Sequence, residues 1–142
     1  MSTPAEGGPD EGAPLGESGA PSHSSGADSV TVWRIALDPV RAPDAAAVAE
    51  LQEEERARAS RFATDALRNR WLHGHVATRR ILARALGVAP RTILYGTEAA
   101  GKPFVAAPAG SGIAFSFSDS GDLALLAVGR SSALGVDVES RR

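Results

Sequence analysis

Two carboxylates near the end of the sequence, Asp137 and Glu139, are spaced for joint chemistry. Residues 134–139 alternate between apolar side chains and glycine or acids, which is typical of a β-strand with two unlike faces. On such a strand the two Cα atoms lie roughly 6.5–7 Å apart, so both carboxylates can reach one hard cation. Magnesium is often held by one or two carboxylates together with substrate phosphates. A solvated strand face is the commoner meaning of this pattern, and a magnesium site is the functional alternative.

The single lysine of the sequence, Lys102, lies between Gly101 and Pro103. These neighbours favour a tight, stiff turn that presents the ammonium at a fixed place. Read alone, the tripeptide is more simply an exposed turn.

The serines that follow in the sequence do not predict a catalytic nucleophile, because there is no Gly-x-Ser-x-Gly motif. His73 and His75 are two residues apart and diverge on a helix, so they do not predict a metal site.

Composition and charge narrow the function classes. The sequence has 142 residues, which suits one domain, and no cysteine, which excludes disulfides, thiolate zinc sites and a cysteine nucleophile. Residues 1–28 carry five acidic residues and no Lys or Arg, so the net charge of −2 becomes +3 for the remainder. A mildly basic body suits a phosphorylated ligand or an acidic partner. Without a signal peptide or a membrane-length apolar run, we predict a cytoplasmic protein that binds no membrane.

The order of apolar and turn-forming segments predicts an α+β fold with two helices packed on an antiparallel sheet. The composition of residues 1–29 predicts a disordered tail, and residues 30–142 are expected to form the folded domain. The helices are expected at 44–62, with Asp44 as N-cap, and at 65–86. The strands are expected at 30–37, 92–95, 104–106, 113–118, 123–128 and 134–139, with a β-hairpin formed by 113–118 and 123–128. Arginines on the helices predict solvated helix faces rather than a nucleic-acid site, because Glu53–Glu55 interrupt them.

Several weak motifs occur in one order along the sequence. They are Glu53-x-x-Arg56, Arg61-Phe62, Arg70, Arg79-Arg80, Gly101-Lys102-Pro103, Phe115-Ser-Phe-Ser-Asp119 and Gly135-Val-Asp137-Val-Glu139. Residues 30–142 thereby resemble the surfactin-synthetase-activating type of 4′-phosphopantetheinyl transferase. The resemblance implies one half of a pseudo-dimeric fold, with coenzyme A and magnesium bound between two similar α+β halves. It also implies transfer of 4′-phosphopantetheine from coenzyme A to a serine of an acyl or peptidyl carrier protein.

The resemblance assigns roles to eight residues. Asp137 and Glu139 are the implied metal ligands, and Arg70 and Lys102 the implied contacts to phosphates or nucleotide. Near the 3′-phosphate it places Ser118 and the flanking arginines Arg58 and Arg61. Asp119 stands where the family has a histidine that binds this phosphate. Because two unit charges 4 Å apart interact by about 4 kcal/mol at an effective ε of 20, Asp119 is expected to repel the ligand.

The family's second-half motif, W-x-x-K-E-A, does not occur in the 142 residues. The resemblance puts the third acidic ligand and a candidate base in that half, so we expect the chain alone to be inactive. One alternative is a non-catalytic half-domain that pairs with another chain through an apolar sheet face. A weaker alternative is a magnesium-dependent hydrolase of a small phosphorylated substrate.

Overall fold

The computed structural model describes residues 30–130 and has the predicted α+β architecture. The helices are α1 (Ala45–Val48), α2 (Glu53–Ala59) and α3 (Asp65–Leu86), followed by a 3₁₀ turn at Pro90–Thr92. The strands are β1 (Val30–Ala36), β2 (Leu94–Thr97), β3 (Pro103–Ala107), β4 (Ile113–Ser120) and β5 (Leu123–Arg130). No helix within this part of the chain is both long and apolar enough to cross a membrane.

The main sheet has three antiparallel strands in the order β1-β5-β4. Strands β4 and β5 form the predicted hairpin, with Ser120 opposite Leu123 and a two-residue turn of Gly121 and Asp122 between them. Gly121 has a φ of 63°. A tight two-residue turn requires such a positive φ, and glycine adopts it more readily than residues with a side chain. Strands β2 and β3 form a separate two-stranded antiparallel ladder rather than a continuation of one sheet.

Helix α3 confirms the predicted second helix and covers one face of the main sheet. Thr64 caps its start by accepting a hydrogen bond from the Leu67 amide (3.1 Å), and Gly87 ends it with a φ of 72°. The helix comes close to strand β4 at Gly74, where an added Cβ would lie only 3.1 Å from Cζ of Phe117. Because Gly74 has no side chain, helix α3 can approach strand β4 closely at this point.

The prediction of one continuous helix at 44–62 is wrong, because this segment forms the two short helices α1 and α2. Asp44 caps α1 as predicted, accepting a hydrogen bond from the Ala47 amide (2.9 Å). Gln52 then adopts an extended conformation with a ψ of 162° and starts α2. Its backbone amide donates to Glu55 Oε1 (2.8 Å) within a capping box, so residue 52 begins a new helix instead of continuing the first.

The core lies between α3 and the main sheet. Ile35 of β1, Leu82 of α3 and Leu126 of β5 are almost completely buried there, with β2 contributing partly buried Tyr95. A smaller cluster joins the short helices to α3. The strand predicted at 92–95 is shifted to Leu94–Thr97, because Pro90–Thr92 form the 3₁₀ turn. The predicted tail at 1–29 and the predicted strand at 134–139 lie outside the described residues.

Candidate functional site

Arg70 meets the β4–β5 hairpin at its turn. Its Nε donates a hydrogen bond to Asp122 Oδ1 at 2.8 Å, and the two side chains are 34% and 61% exposed. The turn is also tied to β1, because the carbonyl of Asp122 accepts a hydrogen bond from the Leu37 amide (2.8 Å). Helix α3 and the hairpin therefore hold a guanidinium and a carboxylate together at one end of the main sheet.

Ser118 and Asp119 lie on opposite faces of the main sheet. Asp119 is opposite Ala124 and is two residues from Phe117, so its side chain shares the sheet face that α3 covers. Ser118 is opposite Leu125 on the other face, where its Oγ is buried and has no hydrogen-bond partner within residues 30–130. A single ligand can therefore contact both side chains only if it reaches around the end or the edge of strand β4.

A stack of side chains connects Arg58 to helix α3. The guanidinium of Arg58 lies 5.8 Å from the ring centroid of Trp71, and the Phe62 ring lies 5.8 Å from the same ring at a tilt of 48°. His75 stacks on Trp71 with ring centroids 3.7 Å apart. Trp71 follows Arg70 in the sequence, so these contacts place the Arg58 charge beside the same segment of α3.

Arg61 and Lys102 are exposed. Arg61 follows α2, where its amide donates to the carbonyl of Arg58 at 3.1 Å. Lys102 lies in the turn between β2 and β3, which is closed by a hydrogen bond from the Glu98 amide to the Lys102 carbonyl (2.8 Å). Within residues 30–130, these contacts bring Arg58 to α3 and link Arg70 of α3 to the hairpin, whereas Lys102 lies apart in the β2–β3 turn.

Arg79 corrects the prediction that the helix arginines form solvated faces, because its side chain is only 2% exposed. Its Nε donates to Glu55 Oε1 (2.8 Å), and Nη1 donates to the carbonyls of Pro90 (2.7 Å) and Ile93 (2.9 Å). The guanidinium also lies 5.0 Å from the ring centroid of Tyr95. Burial raises the pKa of Tyr95, so this ring stays neutral beside the cation. Arg79 therefore ties α2, the 3₁₀ turn and β2 to α3.

The candidate metal ligands Asp137 and Glu139 lie outside the described residues. Between residues 30 and 130, no group of three or more His, Cys, Asp or Glu side chains is arranged to hold a metal ion.

His75 gives the folded chain a predicted pH dependence. Its Nδ1 donates to the carbonyl of Trp71 (3.0 Å), and burial lowers its pKa below the ordinary value of 6.5. The unfolded chain therefore takes up this proton at a higher pH than the folded chain. The unfolding free energy is expected to fall as the pH drops below 6.5, by no more than about 1.4 kcal/mol per pH unit from this residue.

Urea denaturation between pH 7 and pH 5 measures this effect. The His75→Gln variant is expected to lose part of the pH dependence. His73→Gln serves as the control, because it changes another half-buried histidine of the same helix, whose Nε2 donates to the carbonyl of Arg41 (2.7 Å). An identical pH dependence in His75→Gln and the unchanged chain would contradict the prediction.

Sequence reasoning missed the site contribution of Asp122 and the burial of Arg79. Asp122 was assigned only to the turn between the strands, and nothing in the sequence indicates its pairing with Arg70, 52 positions away. A signal for Arg79 was available, because Leu72, Val76 and Arg79 follow the helical spacing of one buried face.

Comparison with known proteins identifies the family. Residues 36–131 match the family model described as 4′-phosphopantetheinyl transferase, N-terminal. The 4′-phosphopantetheinyl transferase HetI of Nostoc sp. is 38% identical over 116 residues, which cover 81% of this chain and 49% of that protein. A phosphopantetheinyl transferase of Thraustochytrium sp. is 41% identical over 90 residues, which cover 63% of this chain and 31% of that protein.

The chain therefore belongs to the 4′-phosphopantetheinyl transferase family, and its matched region corresponds to the family's N-terminal domain. The match spans about half of the Nostoc relative and about a third of the Thraustochytrium relative. Membership of the surfactin-synthetase-activating type stays a prediction.

Proposed function

We propose that this chain supplies the N-terminal half of a magnesium-dependent enzyme that transfers 4′-phosphopantetheine from coenzyme A to a serine of an acyl or peptidyl carrier protein. The observation that carries the proposal is the family match over residues 36–131, which includes all six predicted coenzyme-binding residues. The cytoplasm is the predicted compartment.

The proposed coenzyme site consists mainly of cations supplied by separate elements. Arg58 and Arg61, at α2, flank the 3′-phosphate together with Ser118, while Arg70 and Lys102 contact the phosphates or nucleotide. Phosphoryl-type transfer depends on positioning and on neutralising charge, which such a group of cations provides. The positions of Arg58 beside Trp71 and of Arg70 beside the hairpin support this assignment.

Magnesium completes the proposed chemistry. Asp137 and Glu139 would hold the ion, which when bound neutralises charge on the coenzyme diphosphate. Asp119 acts in the opposite direction, because a carboxylate near a phosphate weakens the binding of that phosphate.

We define the outer sheet face as the face of the main sheet opposite α3. We propose that a second half-domain packs against this face. Its members include half-buried Val32, Leu123 and Leu125, which are apolar. The hydroxyl of Ser118, buried and without a hydrogen-bond partner in the described part of the chain, lies on the same face. Arg34 and the serines of β4 also lie on this face. Its half-buried apolar side chains favour pairing, either with the second half of the enzyme or, in the non-catalytic alternative, with another chain.

Mass spectrometry of an apo carrier protein tests the proposed function. The chain is incubated with coenzyme A, Mg²⁺ and the carrier, with and without the C-terminal half of the Nostoc relative supplied as a separate polypeptide. We expect the carrier to gain one phosphopantetheine only when the second half is present. A gain with the chain alone would contradict the expected inactivity. No gain, in conditions where the two halves of the Nostoc relative modify the carrier together, would contradict the transferase proposal.

A further inference from the structure

The ion pair between Arg70 and Asp122 has a consequence for ligand binding. The pair uses Nε of Arg70, and no partner for the two terminal nitrogens is found within residues 30–130. A guanidinium held at Nε presents the edge formed by its terminal nitrogens, which can donate two parallel hydrogen bonds to a phosphate. Asp122 thus fixes the direction of this edge and at the same time places a negative charge next to it.

The position of Asp122 is set by the backbone rather than by the ion pair alone. The residue occupies a two-residue turn, and its carbonyl is bonded to the Leu37 amide. The carboxylate is therefore close to Arg70 whether or not a ligand is present. Because both side chains are partly exposed, the pair itself adds little to folding stability. Its larger effect is on the net charge that an approaching phosphate meets.

We propose that Asp122 sets the phosphate affinity of the Arg70 site by partly cancelling the charge with which Arg70 attracts a phosphate group. The inference rests on the proposed function, in which Arg70 contacts coenzyme A. Asp122 touches no ligand in this account and acts through Arg70. Its carboxylate lowers the affinity for the more highly charged ligands and leaves the orientation of the guanidinium intact.

The variant Asp122→Asn separates charge from orientation, because an asparagine carbonyl still accepts the hydrogen bond from Arg70 Nε. Both side chains of the pair are partly exposed, so an effective ε of about 40–80 applies, and charges roughly 6 Å apart then interact by an energy equivalent to about a three- to ten-fold change in affinity. The affinity for coenzyme A is therefore expected to rise by about three- to ten-fold in Asp122→Asn. The gain is expected to shrink at high salt, because exposed charges are screened.

Asp65→Asn is the matched control. Asp65 pairs with Arg68 on the same helix, where Asp65 Oδ1 accepts a hydrogen bond from Arg68 Nη1 (2.6 Å), and the substitution removes the same unit of charge. Isothermal titration calorimetry is carried out with coenzyme A and with dephospho-coenzyme A at low and high salt, for the 142-residue chain and both variants, each combined with the C-terminal half of the Nostoc relative. Circular dichroism verifies that both variants are folded.

Each outcome decides the proposal. A gain in Asp122→Asn that exceeds the gain in Asp65→Asn supports it. If that gain is confined to coenzyme A, Arg70 faces the 3′-phosphate, and if it is equal for both ligands, Arg70 faces the diphosphate. A change no larger than the control overturns the role of Asp122 while leaving the proposed function standing. Failure of the unchanged chain and both variants to bind either ligand beside the added half, in conditions where the two halves of the Nostoc relative bind coenzyme A together, overturns the proposed function and, with it, this inference.

Discussion

Replacing Arg79 with leucine is expected to lower the free energy of unfolding by about 3–5 kcal/mol, because it breaks a buried ion pair from one side. The substitution leaves Glu55 with a largely buried charge and removes the donor to the carbonyls of Pro90 and Ile93. Domains of this size are stable by only about 5–15 kcal/mol, so this single change removes a large share of the total. Urea denaturation followed by circular dichroism measures it.

Arg68→Leu is the control for this experiment. Arg68 also pairs with a carboxylate from α3, but the side chains of Arg68 and Asp65 are 33% and 86% exposed. Exposed pairs contribute about 0–1 kcal/mol, so we expect a small change in this variant. Equal losses in Arg79→Leu and Arg68→Leu would contradict the structural role assigned to Arg79.

Leu126→Ala is expected to cost about 2–5 kcal/mol, the range for large-to-small substitutions in a well-packed core. Leu126 lies in the central strand of the main sheet and is fully buried under α3. Truncation leaves a cavity between the sheet and the helix that carries Arg70. The unfolding free energy from urea denaturation is again the measurement.

The neighbouring leucine provides a matched control for Leu126. Leu125→Ala removes the same atoms from the outer sheet face, where the side chain is half-buried. A clearly smaller loss than for Leu126→Ala is expected from the chain alone. If Leu125→Ala costs as much as Leu126→Ala, the assignment of the core to the α3 side of the sheet is wrong.

The long helix and the hairpin could be predicted because their determinants are local. Thr64 and Gly87 cap α3. In the hairpin, strand β4, in which apolar and polar residues alternate, and strand β5 flank a turn that contains glycine. The break between α1 and α2 also has a local cause, the capping box of Gln52 and Glu55, which the apolar periodicity of this segment concealed. Sequence motifs predict such elements well when the capping residues are included.

Long-range placement could not be predicted in the same way. The separation of β2 and β3 from the main sheet depends on which strands pair, and the residues of one strand do not specify that partner. The burial of Arg79 depends on Glu55 and two carbonyls that come from other elements. For the candidate site, the residue types were indicated by motifs, whereas the pairing of Arg70 with Asp122 required the fold.

Calorimetric titration of coenzyme A into the chain combined with the C-terminal half of the Nostoc relative tests the central claim most directly. We expect saturable binding that becomes at least about ten-fold weaker in Arg70→Ala, because a charge-assisted contact to phosphate contributes about 1.5–3 kcal/mol. Arg84→Ala, which changes an exposed arginine at the far end of α3, is expected to bind like the unchanged chain. Absence of binding in conditions where the two halves of the Nostoc relative bind coenzyme A together, or equal weakening in Arg70→Ala and Arg84→Ala, would contradict the proposed coenzyme A site.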